Sequence, residues 1–235
     1  MLSVDEMKMR VAKYVADMMS NDQVIGVGSG STSMIFLRFL AERVRRGELR
    51  NVKLVPTSSE VEYYSTILGI ENLIVQPWQI DNIDVAVDGA DEVDPSKNLI
   101  KGGGGALTGE KVIDYSAREF IVIVDETKLV EKLGSKVPVP IEVIPRFWRI
   151  VRRRVEEMFG GECSLRILEK GKRGPLVTDN GNYLLDWRII LNDDPEKVEV
   201  ILKSIPGVVE SGIFSRRHVS RVIVCKSDGE IVELK

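Results

Sequence analysis

VIGVGSGST, the stretch Val24–Thr32, decides the fold of this chain. Val24–Val27 is a short apolar run typical of a buried strand, and the glycines at positions 28 and 30 indicate a turn after it. A helical pattern follows from about Ser33 to Arg46. A strand that enters a helix through a glycine-rich turn is the unit from which parallel α/β sheets are built.

The same alternation of strands and helices continues on both sides of this stretch, up to about residue 130. The spacing of apolar residues predicts helices over residues 5–19, 33–46 and 106–118. Short apolar runs predict strands at Val24–Val27, Val52–Val55, Leu73–Val75, Ile83–Val87 and Phe120–Val124. This alternation predicts an α/β fold with a mostly parallel sheet that helices cover on both faces.

The pattern changes after about Val130. Prolines at positions 138, 140 and 145 indicate a linker-like segment. The next predicted elements are a helix over Phe147–Phe159, strands at Cys163–Leu168 and Tyr183–Trp187, and a helix over Pro195–Ile205. This order predicts a small α+β domain over residues 132–205, inserted into an α/β domain made of residues 1–131 and 206–235.

The composition excludes several classes of protein. The 235 residues include 33 Lys and Arg against 36 Asp and Glu, a net charge of −3, so neither nucleic acid nor a membrane is an expected partner. No apolar run approaches the ~18 residues that span a bilayer, and the charged N-terminus does not resemble a signal peptide. With two cysteines and one histidine, the sequence predicts a cytoplasmic protein without a disulfide framework or a zinc site.

Three loops carry residues suited to chemistry, and the first is Gly26–Thr32. Backbone N–H groups of a glycine-rich turn at a helix N-terminus bind anions, and Ser31 and Thr32 add hydroxyl groups. A dinucleotide-binding loop does not fit, because Ser31 stands where glycine or alanine is required. In addition, Pro56–Ser58 ends the second strand where an acidic residue is expected. A phosphate site and a tight turn with capping serines both remain open.

The second loop is Asp88–Asp94, DGADEVD, which directly follows the strand Ile83–Val87. Its four carboxylates come at the carboxyl end of a predicted parallel strand, where open α/β sheets bind ligands. The glycine at position 89 permits a sharp turn that could aim Asp88 and Asp91 at one point. A solvated acidic turn and a Mg²⁺ site are the alternatives to a substrate site.

The third loop is Lys101–Lys111, KGGGGALTGEK. Four successive glycines cost conformational entropy that a purely structural loop has no need to lose, and they permit close approach to a ligand. Gly104 and Gly109 have the spacing of a nucleotide-binding P-loop, but Glu110 and Lys111 replace its Lys and Ser or Thr. An anion cradle, a carboxylate pair, a lysine and a glutamate together suit proton abstraction next to the carbonyl of a phosphorylated substrate.

These motifs resemble those of ribose-5-phosphate isomerase, type A. The matching stretches span nearly the whole chain and are Val24–Thr32, Pro56–Ser59 (PTSS), Asp88–Glu92 (DGADE), Lys101–Lys111, Asp125–Lys128 (DETK), Val137–Pro145 (VPVPIEVIP), Val177–Asp186 (VTDNGNYLLD) and Ile205–Val209 (IPGVV). The resemblance implies interconversion of ribose 5-phosphate and ribulose 5-phosphate, with no metal or organic cofactor. It also implies a Rossmann-like α/β domain, a smaller ferredoxin-like α+β domain, and a homodimer or homotetramer.

The resemblance further implies roles for individual residues. Glu110 matches the proton-transferring base, and Lys101 matches the lysine beside the reacting oxygens. Asp88 and Asp91 match the carboxylates at the sugar hydroxyls, with Asp88 assisting ring opening. The implied substrate-binding residues are Ser29, Gly30, Ser31, Thr32, Asp88, Gly89, Ala90, Asp91, Lys101, Gly102, Gly103, Gly104, Lys128 and Lys8.

Two positions depart from the family pattern. Ser29 stands where many members have threonine, which keeps the hydroxyl group. Gly109 stands where a long basic residue is common before the glutamate, so any contact of that side chain is missing here. Neither departure removes a group with a catalytic role.

Two other functions compete with the isomerase. A coenzyme A transferase would use Glu110 as a nucleophile through a glutamyl thioester, but it would not explain DGADE together with the anion cradle. A sugar-phosphate-sensing regulator would need a DNA-binding module, and the segment before Val24 has the pattern of only one helix.

Overall fold

The computed structural model describes residues 1–168, 171 and 173–234. In this part of the chain the α-helices are α1 (Val4–Met18), α2 (Gly30–Arg45), α3 (Ser59–Ile67), α4 (Leu107–Ser116), α5 (Trp148–Phe159) and α6 (Pro195–Ser204). The strands are β1 (Val24–Val27), β2 (Lys53–Pro56), β3 (Ile83–Asp88), β4 (Glu92–Val93), β5 (Leu99–Ile100), β6 (Ala117–Asp125), β7 (Val139–Val143), β8 (Glu162–Leu165), β9 (Ile167–Leu168), β10 (Gly174–Pro175), β11 (Tyr183–Arg188), β12 (Val208–Ser211), β13 (Ile213–Phe214), β14 (Arg221–Cys225) and β15 (Ile231–Glu233).

The chain forms two compact units. Unit 1 comprises Met1–Ala90, Gly109–Leu129 and Arg217–Lys235, and unit 2 comprises Asp91–Thr108 and Val130–Arg216. Helix α4 begins in unit 2 and continues in unit 1. The domain boundaries expected from the sequence, after residues 131 and 205, stay a prediction.

In unit 1, six of the described strands form one sheet in the order β15-β14-β6-β3-β1-β2. All neighbouring strands are parallel except β14 and β15. Counted along the chain, the five parallel strands have the order 2-1-3-4-5, which is one of the two common orders of doubly wound sheets. The predicted mostly parallel α/β fold is therefore confirmed. Such sheets bind ligands at the carboxyl ends of the strands where the order reverses, which here lies beside β1 and β3.

Helix α1 covers part of this sheet. Its apolar stripe of Met7, Val11 and Val15 is buried, and the helix packs against α2, β6 and β14. Ser3 and Glu6 form a capping box, in which Ser3 N–H donates to Glu6 Oε2 at 2.7 Å and Glu6 N–H donates to the Ser3 hydroxyl. The hydrogen bond from Ser3 N–H lowers the pKa of the Glu6 carboxyl. The capping box thus marks the start of the helix at Val4.

In unit 2, four strands form an antiparallel sheet in the order β12-β7-β11-β8. Because α5 follows β7 and α6 follows β11, the succession of elements is βαββαβ, which is the ferredoxin-like arrangement. The predicted ferredoxin-like α+β part is therefore confirmed. Its core is made of apolar side chains from both helices and the sheet, among them Val143, Val151, Val155, Leu185, Trp187, Val198 and Leu202.

The predicted linker around the three prolines is wrong. Strand β7 occupies this segment, is buried at every position, and lies between β12 and β11 in the sheet. Proline is rare in central strands because it has no N–H to donate. The Pro140 carbonyl accepts the Gly212 N–H at 2.7 Å, on the side where β12 has ended at Ser211. The nitrogen and the carbonyl of a strand residue face the same neighbour, so Pro140 removes no hydrogen bond to β11.

Two predicted strands are also corrected. The expected strand Leu73–Val75 starts in a 3-10 turn, Glu71–Leu73, and only an isolated bridge between Ile74 and Leu54 remains. The expected strand Cys163–Leu168 is divided at Arg166 into β8 and β9, which belong to different sheets. No helix in the described part of the chain is both long enough and apolar enough to cross a membrane.

Candidate active site

The loop after β1 leads into the N-terminus of α2, which begins at Gly30. Ser29 occupies the cap position, but its hydroxyl makes no bond to the helix and instead hydrogen-bonds the hydroxyls of Thr57 at 2.9 Å and Ser58 at 2.7 Å. Both partners follow β2, the strand paired with β1. The N–H groups of a first helical turn lack partners inside the helix and carry the positive end of its dipole. This loop is therefore suited to an anion, as predicted for Gly26–Thr32.

A carboxylate already contacts this helix terminus. The Gly30 N–H donates to Oε2 of Glu60, an exposed residue in the first turn of α3, at 2.8 Å. Ser31 is exposed and Thr32 is buried in the first turn of α2. No sequence motif pointed to Glu60. The only local signal was its place one residue after the PTSS motif, which does not identify a partner 30 residues away.

Asp88 ends β3 and is fully buried. Its Oδ1 accepts hydrogen bonds from the Ser33 hydroxyl at 3.0 Å and from the Gly89 N–H at 2.6 Å. Gly28, directly after the neighbouring strand β1, leaves no room for a side chain, because a Cβ atom there would lie 1.9 Å from Asp88 Cγ. The structure therefore brings Asp88 together with the Ser29 loop where the strand order of the sheet reverses.

Glu110 lies in the first turn of α4 and is only 5% exposed. The preceding residue, Gly109, packs directly on the loop after β2, since a Cβ atom there would lie 2.1 Å from the carbonyl oxygen of Thr57. Thr57 is also the hydrogen-bond partner of Ser29. Within unit 1 the Glu110 helix and the Ser29 loop therefore pack on the same short segment. The glycine that departs from the family pattern is the residue that makes this close contact.

Asp91 and the glycine loop come together in unit 2. The Gly103 N–H donates to Asp91 Oδ2 at 2.8 Å, and the Asp91 N–H donates to the Ile100 carbonyl at 2.8 Å. Lys101 is 2% exposed, its N–H donates to the Gly212 carbonyl at 2.9 Å, and its Nζ lies 5.4 Å from the centroid of the Phe214 ring. Gly102 is buried, with a φ of 95° that favours glycine, and Gly103 and Gly104 are exposed.

The four carboxylates of the DGADEVD loop have different roles. Glu92 is buried and accepts the N–H groups of Gly134 at 2.6 Å and Val137 at 2.9 Å. Asp94 accepts two N–H groups of its own turn and the side-chain amide of Asn98 at 2.8 Å. Both carboxylates therefore stabilise the structure of unit 2 through hydrogen bonds. Among the described residues, no group of three or more Asp, Glu, His and Cys side chains could hold a metal ion.

For three predicted site residues the structure shows no hydrogen bond to the other site residues it describes. Lys8 is half-buried on α1, and Lys128 is half-buried at the end of a 3-10 turn that follows β6. Neither side chain forms a hydrogen bond or an ion pair with any residue that the structure describes. Ala90 is half-buried at the end of a segment of unit 1. The structure places the remaining predicted residues in two sets: Ser29, Gly30, Ser31, Thr32, Asp88, Gly89 and Glu110 in unit 1, and Asp91, Lys101, Gly102, Gly103 and Gly104 in unit 2.

Comparison with known proteins gives consistent results. A family model described as ribose 5-phosphate isomerase A (phosphoriboisomerase A) matches residues 53–229. A protein of Thermococcus kodakarensis named ribose-5-phosphate isomerase A is 49% identical over 214 residues, which cover 91% of this chain and 92% of the relative. The protein of the same name from Pyrococcus horikoshii is 48% identical over 218 residues, with the same coverage of both chains.

Solved structures show the same similarity. Ribose 5-phosphate isomerase A from Methanocaldococcus jannaschii superposes with a TM-score of 0.92 and 44% identity, over 99% of this chain and all of that one. A D-ribose-5-phosphate isomerase in complex with phospho-erythronic acid superposes with a TM-score of 0.95 and 45% identity, over the full length of both chains.

Proposed function

Since the chain belongs to the ribose 5-phosphate isomerase A family, a family of aldose–ketose isomerases, we propose that it interconverts D-ribose 5-phosphate and D-ribulose 5-phosphate through an enediolate, with Glu110 as the base. The proposed setting is the non-oxidative pentose phosphate pathway in the cytoplasm. The observation that carries the assignment of the base is the buried Glu110 carboxylate, on a helix that packs against the segment bonded to Ser29.

The phosphate group is proposed to bind at the N-terminus of α2. Ser29, Gly30, Ser31 and Thr32 offer N–H groups at the positive end of the helix and three hydroxyl groups. The solved relative that binds phospho-erythronic acid, a phosphorylated sugar acid, supports a substrate of this class. A phosphate that contacts the Gly30 N–H has to replace the Glu60 carboxylate that now accepts it.

Glu110 is proposed to move the proton. The exchange of an aldose and a ketose requires a base that takes a proton from carbon 2 and returns one to carbon 1. A carboxylate does both if it faces two adjacent carbons, and its burial limits the loss of that proton to water. Carbon 1 is reduced as carbon 2 is oxidised within the same molecule, and the proton of the carbon 2 hydroxyl passes to the oxygen on carbon 1. The reaction therefore needs no external oxidant or reductant.

Asp88, Asp91 and Lys101 are proposed to act on the oxygens of the sugar. Lys101 is a buried cation and stabilises negative charge as it develops on the enediolate oxygen. Asp88 is held by hydrogen bonds from Ser33 and Gly89 and assists opening of the sugar ring. Asp91 accepts a hydrogen bond from a hydroxyl group of the open-chain sugar. The other proposed substrate contacts are Gly89, Ala90, Gly102, Gly103, Gly104, Lys128 and Lys8.

The assembly and the absence of a cofactor are also proposals. We expect a homodimer or homotetramer on the basis of the family resemblance, and a reaction without metal or nicotinamide. The cytoplasmic setting is supported by Cys163 and Cys225, which are both free and buried.

The test is the formation of ribulose 5-phosphate from ribose 5-phosphate in the presence of EDTA. The Glu110→Gln variant keeps the shape of the side chain and removes its basicity, so we expect at least a ~10²-fold loss of kcat with KM changed only slightly. Glu71→Gln, at an exposed site on unit 1, is the control that keeps wild-type kinetics. In D₂O we expect the wild-type enzyme to incorporate solvent deuterium into part of the product, since burial slows exchange of the Glu110 proton with water, and Glu110→Gln to incorporate none in the same time.

Two results would overturn the assignment. Wild-type turnover in Glu110→Gln would move the base to Asp88 or Asp91. A covalent adduct on Glu110 after incubation with an acyl-coenzyme A, detected by its mass, would favour the glutamyl thioester of a transferase.

A further inference from the structure

Arg166 stands at the point where the predicted strand Cys163–Leu168 divides. Its backbone is fixed on both sides, since its N–H donates to the Leu184 carbonyl at 2.8 Å and its carbonyl accepts the Leu176 N–H at 2.9 Å. The side chain leaves the sheet at this break and reaches the glycine loop, 64 residues earlier in the chain. No motif of the sequence analysis included this arginine.

The guanidinium group of Arg166 uses all three of its nitrogens. Nε donates to both carboxylate oxygens of Asp186, at 3.2 and 2.9 Å, and Nη2 also donates to Asp186 Oδ1. Nη1 donates to the carbonyls of Gly102 at 3.0 Å and Gly103 at 2.9 Å. The side chains of Arg166 and Asp186 are only 15% and 19% exposed, so water screens these contacts much less than those of a surface pair.

This arrangement fixes the direction of one peptide unit. In a trans peptide the carbonyl and the following N–H point in opposite directions. Because the Gly102 carbonyl faces Arg166, the Gly103 N–H faces away from it, and that N–H donates to Asp91 Oδ2 at 2.8 Å. The peptide between Gly102 and Gly103 therefore links the Arg166 side chain to the Asp91 carboxylate.

The glycine loop needs such a contact. Four successive glycines have no side chains to restrict their backbone, and a chain of this kind populates many conformations when nothing holds it. Lys101 directly precedes this loop, so motion at Gly102 is transmitted to the lysine that we assign to the enediolate oxygen. Even a small motion of this kind affects catalysis, since a displacement of a catalytic group by about 1 Å can lower a rate ~10²-fold.

We propose that Arg166, oriented by Asp186, is a positioning residue of the isomerase, which holds the glycine loop through the carbonyls of Gly102 and Gly103. It acts on Asp91 and Lys101 and makes no contact with substrate. The role of the loop in catalysis rests on the proposed function, whereas the contact itself is a property of unit 2 and is tested without substrate.

The first experiment measures hydrogen–deuterium exchange of the free enzyme in peptides that cover residues 101–107. Arg166→Ala and Asp186→Asn are expected to raise the exchange rate there at least ~10-fold relative to wild type. Arg221→Ala is the matched control, because Arg221 also pairs with a carboxylate, Glu233, at 2.7 Å but lies in unit 1. Unchanged exchange in the loop of both unit 2 variants would overturn the proposal, whatever the activity of the enzyme.

The second experiment measures kcat and KM for ribose 5-phosphate at a temperature where circular dichroism shows each variant folded. Arg166→Lys keeps the charge but loses the planar fork, and we expect it to lower kcat at least ~10-fold. For Arg166→Ala we expect a larger loss that millimolar guanidinium chloride partly restores in a saturable way, with equal concentrations of NaCl or urea as controls. Restoration is the readout that a purely structural role would not produce.

The outcomes separate the two proposals. A wild-type enzyme without isomerase activity would refute the proposed function and leave the exchange experiment to decide the contact. Normal kcat in Arg166→Lys, or an Arg166→Ala variant that is folded and shows no restoration by guanidinium, would overturn the positioning role while the proposed function stands.

Discussion

Replacement of Gly28 by alanine tests how the structure holds Asp88. The new Cβ atom would lie 1.9 Å from Asp88 Cγ, whereas ordinary contacts of this kind begin at 3.4 Å. The carboxyl group therefore has to move by about 1.5 Å, or the two strands have to separate by a similar amount. Asp88 is fully buried in the sheet, so neither movement is easy.

The magnitude follows from the hydrogen bonds of Asp88. A shift of this size breaks the bonds from the Ser33 hydroxyl and the Gly89 N–H to Asp88 Oδ1. At about 1.5 kcal/mol for each hydrogen bond, Gly28→Ala should lower the free energy of unfolding by about 3 kcal/mol. For a chain of this length that corresponds to a fall in Tm of roughly 6–12 °C. The variant should also lose kcat/KM at a temperature where it is folded, because its Asp88 carboxylate is displaced from the position in which we propose that it contacts the sugar.

The assay is urea unfolding followed by circular dichroism, together with thermal unfolding. Gly89→Ala is the control, since a Cβ atom there would have no neighbour closer than 3.8 Å, and its free energy of unfolding should stay within about 0.5 kcal/mol of wild type. The reasoning is refuted if Gly28→Ala is as stable as Gly89→Ala. Equal losses in both variants would show that the contact with Asp88 is not the cause.

Four further predictions follow from other contacts. Glu60→Gln removes the carboxylate that now accepts the Gly30 N–H, so KM for ribose 5-phosphate should fall about 2- to 5-fold, and an unchanged or higher KM would argue against competition at the helix terminus. Glu142 is buried and accepts from the side chains of Thr108, Thr178, Asn180 and Asn182; Glu142→Ala should lower the free energy of unfolding by about 3 kcal/mol or more in urea. Glu142→Gln should lose less than half of that, because its amide oxygen keeps three of the donors, and equal losses would contradict this. Burial, reinforced by the Glu156 carboxylate, raises the pKa of the Cys163 thiol from 9.0 to about 12. The stability that the neutral Cys163 thiol contributes is therefore present below pH 9 and is lost as the pH rises towards 12. About 1.4 kcal/mol of it is lost by pH 10, so the free energy of unfolding of Cys163→Ala should fall less steeply at alkaline pH than that of wild type. Finally, activity should persist in excess EDTA, and restoration of a lost activity by one divalent metal would show that the acidic loop holds an ion.

Much of the fold could be predicted from short segments. The run Val24–Val27, the glycines after it and the helix that follows are local features. The strand has the predicted bounds, and the helix begins at Gly30, three residues before the predicted start at Ser33. Their repetition along the chain predicts a parallel sheet because parallel strands need helical crossovers. The motifs DGADE and KGGGGALTGEK are likewise short, and they indicated the family and the residue types of the site. These signals are contained in consecutive residues.

The errors and omissions have a common cause. Pro140 predicts a linker because proline has no N–H to donate to a sheet. The structure nevertheless accommodates this proline in strand β7, because β12 ends beside it. In the loop Asp88–Asp94 the sequence singled out Asp88 and Asp91 but assigned no role to Glu92 and Asp94, which accept structural hydrogen bonds in unit 2. In both cases the deciding neighbour lies elsewhere in the chain or in the turn geometry.

The sequence by itself determined the succession of elements, the family and the identity of the candidate acids, bases and anion-binding groups. Only the tertiary structure decided which side chains hold them in place. Arg166 is 64 residues from Gly102 and 20 from Asp186, and Glu60 is 30 residues from Gly30. Hydrogen bonds over such separations depend on how the strands pair and how the helices pack, and no periodicity or local propensity encodes them. The groups that can react are therefore visible in short motifs, whereas the groups that position them emerge only when distant segments meet.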